Sequence, residues 1–162
     1  MSVRKINVNY KPLINENSKL TYHSFSIKDN KLTGICKCYH TNPDNELEEI
    51  MLIDSHFNDK SEGKCIMYHE SGSISTELTF SKNIQIGYMT RYHANGNIIS
   101  KSFYYDFIEN GFTSGYTFKG KLKYIGYCII GMRNGYFILF DDNGNIKESR
   151  YYIDNEKIYE WI

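Results

Sequence analysis

The sequence is poor in proline and tryptophan, and it has neither the periodicity of amphipathic helices nor an excess of basic residues. Only 2 of its 162 residues are proline and 1 is tryptophan, while 12 glycines are spread along the chain. No run of about 11 residues shows the 3.6-residue periodicity of an amphipathic helix, so helices are disfavoured throughout. The 19 basic residues are balanced by 19 acidic residues. A nucleic-acid-binding protein usually carries a basic excess, and we therefore expect no nucleic acid among the partners.

Signals for export or membrane insertion are also missing. The first residues are not followed by an apolar run, so no signal peptide is predicted. No stretch is long and apolar enough for a transmembrane helix, and we expect no membrane partner. We predict a cytoplasmic protein, in which the four cysteines are reduced thiols.

The motifs of several common enzyme classes are absent. The sequence contains no Gly-x4-Gly-Lys-Ser/Thr, no Gly-x-Ser-x-Gly and no His-Glu-x2-His. An enzyme generally needs a concave pocket with convergent polar groups, which a flat sheet does not provide. We predict that the protein is not an enzyme and that it binds no cofactor.

Two histidine and cysteine patterns could suggest a metal site. His69 and His93 are 24 residues apart, but copies one hairpin apart in a sheet are separated by about 10 Å, too far to share a zinc ion. Cys36, Cys38 and His40 alternate along one predicted strand, where Cys-x-Cys differs from the usual zinc spacing. We predict no metal site and assign these residues to turn flanks and to a strand.

The most prominent pattern in the sequence recurs every 24 residues. Each unit reads Gly-x4-aromatic-x3-Gly-x-aliphatic, which is typical of a stacked repeat architecture. The leading glycines are Gly63, Gly87, Gly111 and Gly135, and the aromatics are Tyr68, Tyr92, Tyr116 and Phe140. The second glycines are Gly72, Gly96, Gly120 and Gly144, and the aliphatics are Ile74, Ile98, Leu122 and Ile146.

One unit has the chemistry of a β-hairpin. Residues 136–140 are aromatic and branched, which suits a strand, and residues 141–144 read Asp-Asp-Asn-Gly, which suits a turn. A three-residue loop built on a type I turn, with the second glycine as the bulge residue, fits all four units. We expect the aliphatic column to lie opposite the aromatic column, and the leading glycine to mark the bend into the next hairpin.

These units predict an all-β fold: a single-layer antiparallel stack of β-hairpin repeats, forming an elongated twisted ribbon. We interpret residues 1–162 as one domain, with regular units at 63–86, 87–110, 111–134 and 135–158. Residues 34–62 are a unit with about five extra residues, expected as a polar, acidic loop at 43–49. Residues 1–33 are a degenerate N-terminal cap, and residues 159–162 are a C-terminal capping strand.

The pattern Gly-x4-Tyr-x3-Gly-x-Ile, with its period of 24 residues, resembles MORN-type repeats, and within them the variant of YwqK-like bacterial proteins, which are often labelled antitoxins. The resemblance covers residues 63–158 well and 34–62 loosely. It implies hairpin stacks that contact proteins or lipids and share no catalytic site. The chain lacks the Tyr-x-Gly-x-Trp core of the classical form, which argues against phospholipid binding.

The preferred functional hypothesis is a non-catalytic protein-binding module that inhibits or neutralises its partner. An antitoxin, an immunity protein or a phage anti-defence protein would fit, with a toxin, an effector or a defence enzyme as the partner. The alternative is a structural scaffold associated with a membrane surface. The chain would act as a monomer or as an edge-paired homodimer. Exposed aromatics and the acidic insertion supply the expected contact residues: Tyr88, Tyr104, Tyr105, Phe118, Tyr124, Tyr127 and Glu48.

Overall fold

The structure is a computed structural model that describes residues 20–28, 31–42 and 45–161. These residues form strands and turns only, so none of them forms a helix long and apolar enough to cross a bilayer. The strands are β1 (Leu20–Lys28), β2 (Lys31–Asn42), β3 (Asn45–Phe57), β4 (Lys60–Ser61), β5 (Gly63–Tyr68), β6 (Ile74–Ser81), β7 (Ile84–Tyr92), β8 (Ile98–Tyr105), β9 (Ile108–Tyr116), β10 (Leu122–Ile129), β11 (Met132–Arg133), β12 (Gly135–Phe140), β13 (Ile146–Ile153) and β14 (Glu156–Trp161).

All the strands belong to one open antiparallel sheet. Its order is β1-β2-β3-β5-β6-β7-β8-β9-β10-β12-β13-β14, so each long strand pairs with its neighbour in the sequence. The short strands β4 and β11 pair with β3 and β10, next to the longer strands that follow them. The predicted fold class, a row of consecutive hairpins in one layer, is confirmed.

One long edge of the sheet carries the predicted three-residue turns. In the unit 63–86, the amide of Gly72 donates to the carbonyl oxygen of His69 (2.9 Å), and the amide of His69 donates to the carbonyl oxygen of Ser73 (2.8 Å). Gly72 has a φ of 78°, the left-handed conformation that favours glycine. The same pair of hydrogen bonds closes the turns that follow Tyr92, Tyr116 and Phe140.

The predicted pairing of the aromatic and aliphatic columns is confirmed. Tyr68 lies opposite Ile74 in the ladder between β5 and β6. The equivalent pairs in the following units are Tyr92 with Ile98, Tyr116 with Leu122 and Phe140 with Ile146. In each hairpin this is the last pair of the ladder before the three-residue turn.

The opposite edge carries two-residue turns, which recur with the same period as the glycines. Both central residues of each turn have positive φ, as in the type I′ turns that match the twist of the strands. The turns are residues 58–59, 82–83, 106–107, 130–131 and 154–155. A backbone hydrogen bond joins each of the last four turns to a residue that follows the preceding two-residue turn by two positions. In each case an amide of the turn donates to an earlier carbonyl oxygen, at Ser61, Gln85, Glu109 and Arg133.

The leading glycines do not mark these bends, and that expectation was wrong. Gly87 lies inside β7, with a φ of 77°. Between the pairs Thr79–Ile86 and Glu77–Thr90, β7 advances four residues while β6 advances two. The glycine therefore sits in a bulge, where the extra backbone needs a conformation that residues with a Cβ rarely adopt.

The insertion in the unit 34–62 is also not the loop that the sequence suggested. Strand β2 extends to Asn42 and β3 begins at Asn45, so the acidic residues 46–49 lie on a strand. An antiparallel hairpin can grow by adding residues to both strands, which pairs their backbone groups with each other. The extra length makes a longer hairpin. The side chain of Glu48, one of the predicted contact residues, lies outside the described residues.

The two faces of the sheet differ in burial. Residues directly opposite in an antiparallel ladder share a face, and the pairs Cys65–Leu78 and Ser102–Thr113 both lie on a buried face. We call this side the core face; it is defined by Cys65, Leu78, Ser102, Thr113, Cys128, Phe137 and Tyr152.

Aromatic rings on the core face pack directly on glycine backbone. A Cβ at Gly115 would lie 2.1 Å from the ring of Tyr124, and a Cβ at Gly126 would lie 2.4 Å from the ring of Phe137. A single layer has no second sheet to cover it. Large rings laid flat over glycines therefore provide burial that a sandwich would obtain from its opposing sheet.

Replacing Gly96 with alanine tests the turn geometry. Gly96 has a φ of 84°, and no atom lies within 4 Å of a Cβ built there. The cost is therefore conformational, and we expect Gly96→Ala to lower the free energy of unfolding by about 1–2 kcal/mol in urea denaturation. Gly96→Asn should cost less, because asparagine tolerates the left-handed region. Equal stability of Gly96→Ala and the parent protein would contradict this turn.

A buried hydroxyl pair on the core face offers a second test. Ser102 Oγ and Thr113 Oγ1 are 2.7 Å apart, and both residues are 6 % exposed. Thr113→Val leaves the Ser102 hydroxyl buried without its partner, and we expect a loss of about 1–3 kcal/mol in unfolding free energy. The double variant Ser102→Ala/Thr113→Val should be more stable than the sum of the two single effects predicts. Strict additivity would show that the hydroxyls are not coupled.

Candidate functional site

The exposed face of the sheet carries three aromatic pairs at the repeat spacing. The pairs are Tyr88–Phe103, Phe112–Tyr127 and Tyr136–Tyr151, with centroid separations of 5.3, 5.1 and 4.9 Å. Their interplanar angles of 88°, 86° and 71° are edge-to-face, an arrangement that aromatic rings favour. We call this surface the ladder face and define it by these six residues.

The ladder face forms because strand side chains alternate between faces and the bulges between successive hairpins do not change that parity. Residues on one face of a strand are two apart, and a bulge that adds two residues keeps the following side chains on the same face. Each member of a pair therefore reappears one repeat later on the same side. Direct pairing in the ladders places the two rings of each pair opposite each other.

These rings are open to solvent. Phe112 is 67 % exposed, Tyr136 is 50 % exposed and Tyr88 is 46 % exposed. At the end of the sheet, Trp161 stacks on Tyr136 at 5.8 Å and extends the row onto β14. Exposed aliphatic and aromatic neighbours on the same face enlarge the apolar area: Tyr105, Ile108, Ile125, Ile129 and Tyr159.

The aromatic row begins only at the second regular unit. In the first unit its two positions hold Lys64 and Thr79, and Lys64 Nζ forms an ion pair with Glu77 Oε1 at 2.7 Å. The hydrogen bond from Lys64 lowers the pKa of Glu77 below its usual value, and the hydroxyl of Tyr92 donates to the same carboxylate at 2.9 Å. This polar cluster marks one end of the ladder face.

Lysines border the ladder face on the side of the three-residue turns. Lys101 Nζ lies over the ring of Tyr88, 4.8 Å from its centroid. Lys123 and Lys147, one repeat apart, line a shallow depression of about 650 Å³ together with Tyr116 and Phe140. The depression joins the aromatic and aliphatic columns to the turn edge.

The core face contains a groove of about 420 Å³, but its polar groups are paired with one another. Arg150 Nη2 donates to Glu148 Oε2 at 2.7 Å, and this pairing lowers the pKa of Glu148 to about 2. Arg133 stacks on the ring of Tyr152 at 4.2 Å. Burial, then the nearby Glu109, raise the pKa of the Cys128 thiol to about 11, so it is not an activated nucleophile. The residues that line the groove include the core cluster of the sheet, Cys128, Phe137 and Tyr152, with Tyr124 packed against it.

The structure separates the predicted contact residues between the two faces. Tyr88, Tyr105 and Tyr127 lie on the exposed face, at 46 %, 59 % and 38 % exposure. Tyr104 and Tyr124 are half-buried on the core face, and burial raises the pKa of Tyr104.

Phe118, a sixth predicted contact, lies on the turn edge. It is 63 % exposed, and its ring packs edge-on against His93 at 5.0 Å. The ring of His69 instead reaches the next unit, with Nε2 placed 2.9 Å from the carbonyl oxygen of Tyr92. The histidines at this position therefore tie neighbouring turns together.

The sequence reasoning missed four of the six ladder residues: Phe103, Phe112, Tyr136 and Tyr151. A signal for them was present, since Phe112 and Tyr136 follow Tyr88 at steps of 24, and Tyr127 and Tyr151 follow Phe103 in the same way. Exposure at one position of a column predicts exposure at the others, because the units are equivalent.

No group of three metal-binding residues comes together among the side chains that the structure describes. Cys36, Cys38 and His40 have side chains outside the described residues. Asp141, the first residue of the predicted turn at 141–144, accepts hydrogen bonds from the amides of Asn143 (2.9 Å) and Asn145 (2.8 Å). These hydrogen bonds lower its pKa, as expected for a turn residue.

Comparison with known families agrees with this geometry. The family model of the MORN repeat variant matches residues 61–82, 85–106 and 133–154. Each matched segment contains one hairpin closed by a three-residue turn: β5–β6, β7–β8 or β12–β13. No curated protein is significantly similar to the chain. Three of its hairpins are thus similar to the MORN repeat variant, a non-enzymatic repeat that generally binds proteins or membranes.

Proposed function

We propose that this protein is a non-catalytic binding module that docks a partner protein on the ladder face and thereby inhibits or neutralises it. The observation that carries the proposal is the solvent exposure of three repeated aromatic pairs in one row. Large exposed apolar patches on folded proteins mark interaction sites. Tyrosine, phenylalanine and tryptophan are enriched at the centres of protein interfaces.

The packing of the rings against each other supports docking. Each ring is already held edge-to-face by its partner on the next strand. Side chains that are ordered before binding lose little conformational entropy when a partner covers them. The proposed contacts are Tyr88, Tyr105 and Tyr127, joined by Phe112 and Tyr136.

The second part of the proposal is that docking inhibits the partner protein. A broad, rigid face can block a partner by covering its working surface, and it needs no chemistry of its own. An antitoxin of the YwqK-like kind, an immunity protein or an anti-defence protein would act in this way, in the cytoplasm, on a toxin, an effector or a defence enzyme. The resemblance to MORN-variant repeats supports the binding role, and the extent of the ladder face over six strands, from β7 to β13, supports neutralisation by coverage.

Site-specific photocrosslinking tests the docking face. We would place benzoylphenylalanine at Phe112 and, as the control, at Phe57, which has nearly the same exposure (67 % against 61 %) but lies on β3, outside the ladder face. Expressed in the native cells, the Phe112 variant should give one discrete protein adduct, and the Phe57 variant should not. The same adducts at both positions, or none at Phe112, would contradict the proposal.

Binding of the crosslinked partner can then be measured with substitutions. Phe112→Ala/Tyr127→Ala removes one exposed aromatic pair, and we expect at least a tenfold weaker Kd because truncated interface aromatics cost more than about 1 kcal/mol. Phe57→Ala should leave the Kd unchanged. Activity of the partner should fall when the parent protein is added and recover with the double variant. A partner that binds but keeps its full activity would support binding and contradict inhibition.

A further inference from the structure

We propose that the partner is a single protein surface with an apolar centre and a row of carboxylates along one border, which faces Lys101, Lys123 and Lys147. This inference deepens the proposed function and rests on it. The charges of the ladder face, their positions relative to the aromatic pairs, and the area of the face carry it.

The charges of the three lysines are accessible to a partner. Among the residues that the structure describes, none of them forms an ion pair, whereas Lys64 at the end of the ladder is paired with Glu77. All three are exposed. They project from β8, β10 and β13, strands that are two apart in the sheet, so neighbouring lysines are about 10 Å apart across the strands. Lys101 is level with Ile125 and therefore lies two residues farther from the three-residue turns than Lys123.

The lysines lie on one border of the aromatic row. Lys101 precedes Phe103 on β8 and is nearer the three-residue turn, while Lys123 and Lys147 line the depression at that edge. Two acidic residues share the depression, Asp141 and Asp142. Three lysines on this border face two carboxylates, which leaves an excess of one positive charge.

The opposite border has a different character. There, three exposed acidic residues, Asp106, Asp154 and Glu156, lie in two of the two-residue turns and on the strand after the last one, against one exposed lysine, Lys82, in the turn before β7. The face is therefore polarised across its width, although the whole chain has a net formal charge of zero. Complementary potentials set the register of a docked partner and suppress wrong orientations.

The area of the ladder face fits one standard interface. Seven strands, from β7 to β14 along the sheet path, span about 30 Å at about 4.8 Å between strands. Strands of eight residues, such as β8, are about 25 Å long. The product, about 750 Å², is close to the roughly 800 Å² that each partner contributes to a stable complex. We infer that one partner occupies the face.

The geometry favours a protein over nucleic acid or a membrane. Single-stranded nucleic acid needs ring faces free for stacking at successive bases, whereas here one ring of each pair has a face covered by the edge of its neighbour. Phosphates are recognised best by the bidentate arginine fork, and the unpaired cations bordering this face are lysines. A second copy of the chain would compete for the same face, and a dimer of the parent protein that Lys123→Glu/Lys147→Glu dissociates would overturn the inference.

Two designed β-hairpin peptides provide the test. They share one tryptophan- and leucine-bearing face and differ only in carrying glutamate or lysine along one border. We expect the glutamate peptide to bind the parent protein about fivefold to tenfold more tightly than the lysine peptide at low salt. Lys123→Glu/Lys147→Glu should reverse that preference. Lys60→Glu/Lys82→Glu makes the same change in net charge away from the lysine border and should leave the preference as it was.

The other outcomes are also informative. Equal binding of both peptides, lost in Phe112→Ala/Tyr127→Ala, would overturn the charge inference and leave the docking face intact. Vesicles of phosphatidylcholine with phosphatidylserine, or a single-stranded oligothymidine, should not bind. Binding of either one that Lys123→Glu/Lys147→Glu abolishes would overturn the inference in favour of that ligand. If neither peptide binds, the inference also fails, while crosslinking from Phe112 still decides the proposed function.

Discussion

The register of the repeat is the constraint on which the rest of this structure depends. Every repeat unit adds two long strands to the sheet, and bulges between successive hairpins place two extra residues on one of the paired strands. The length of the repeat and the size of these bulges are both even, so neither changes which face a given column occupies. Equivalent side chains therefore align along the sheet, one unit after another. A unit that was one residue shorter or longer would turn each following column to the other side.

A single layer that keeps its columns aligned has two unlike faces. On the core face, rings lie over glycines and hydroxyls pair across strands, which buries side chains without a second sheet. On the ladder face, large rings cover each other only in part and stay accessible. The same repeat thus stabilises the sheet from one side and provides an apolar surface on the other. Because side chains alternate along each strand, the residues that stabilise the fold lie on one face and the residues proposed to bind a partner lie on the other.

The sequence predicted the hairpins, their period, the turn with its bulge glycine, and the pairing of Tyr68 with Ile74. These features follow from the residues of each hairpin alone: strand-forming residues on both sides of a short polar segment that ends in glycine. The leading glycine was placed wrongly because positive φ is required equally by a bend and by a bulge. Nothing local to Gly87 distinguishes them, and the two-residue turn at 82–83 lies only a short way before it.

The candidate site was predictable only in part, for a related reason. Both faces of the strands carry aromatic residues, so composition does not say which face is buried. Tyr104 and Tyr105 are neighbours in the sequence, yet one lies on the core face and the other on the exposed face. The pairing between strands, and the glycines on which Tyr124 and Phe137 pack, determine which face is buried. Those contacts are non-local, and only the three-dimensional register reveals them.

Deleting one unit tests the central claim most directly. Removal of residues 87–110 takes out 24 residues and joins Ile86 to Gly111, which keeps every column in phase. Removal of 87–109 takes out one residue fewer and shifts the following columns to the opposite face. Urea unfolding followed by circular dichroism should show a cooperative β-sheet transition for the first variant and none for the second. Equal behaviour of the two variants would contradict the account.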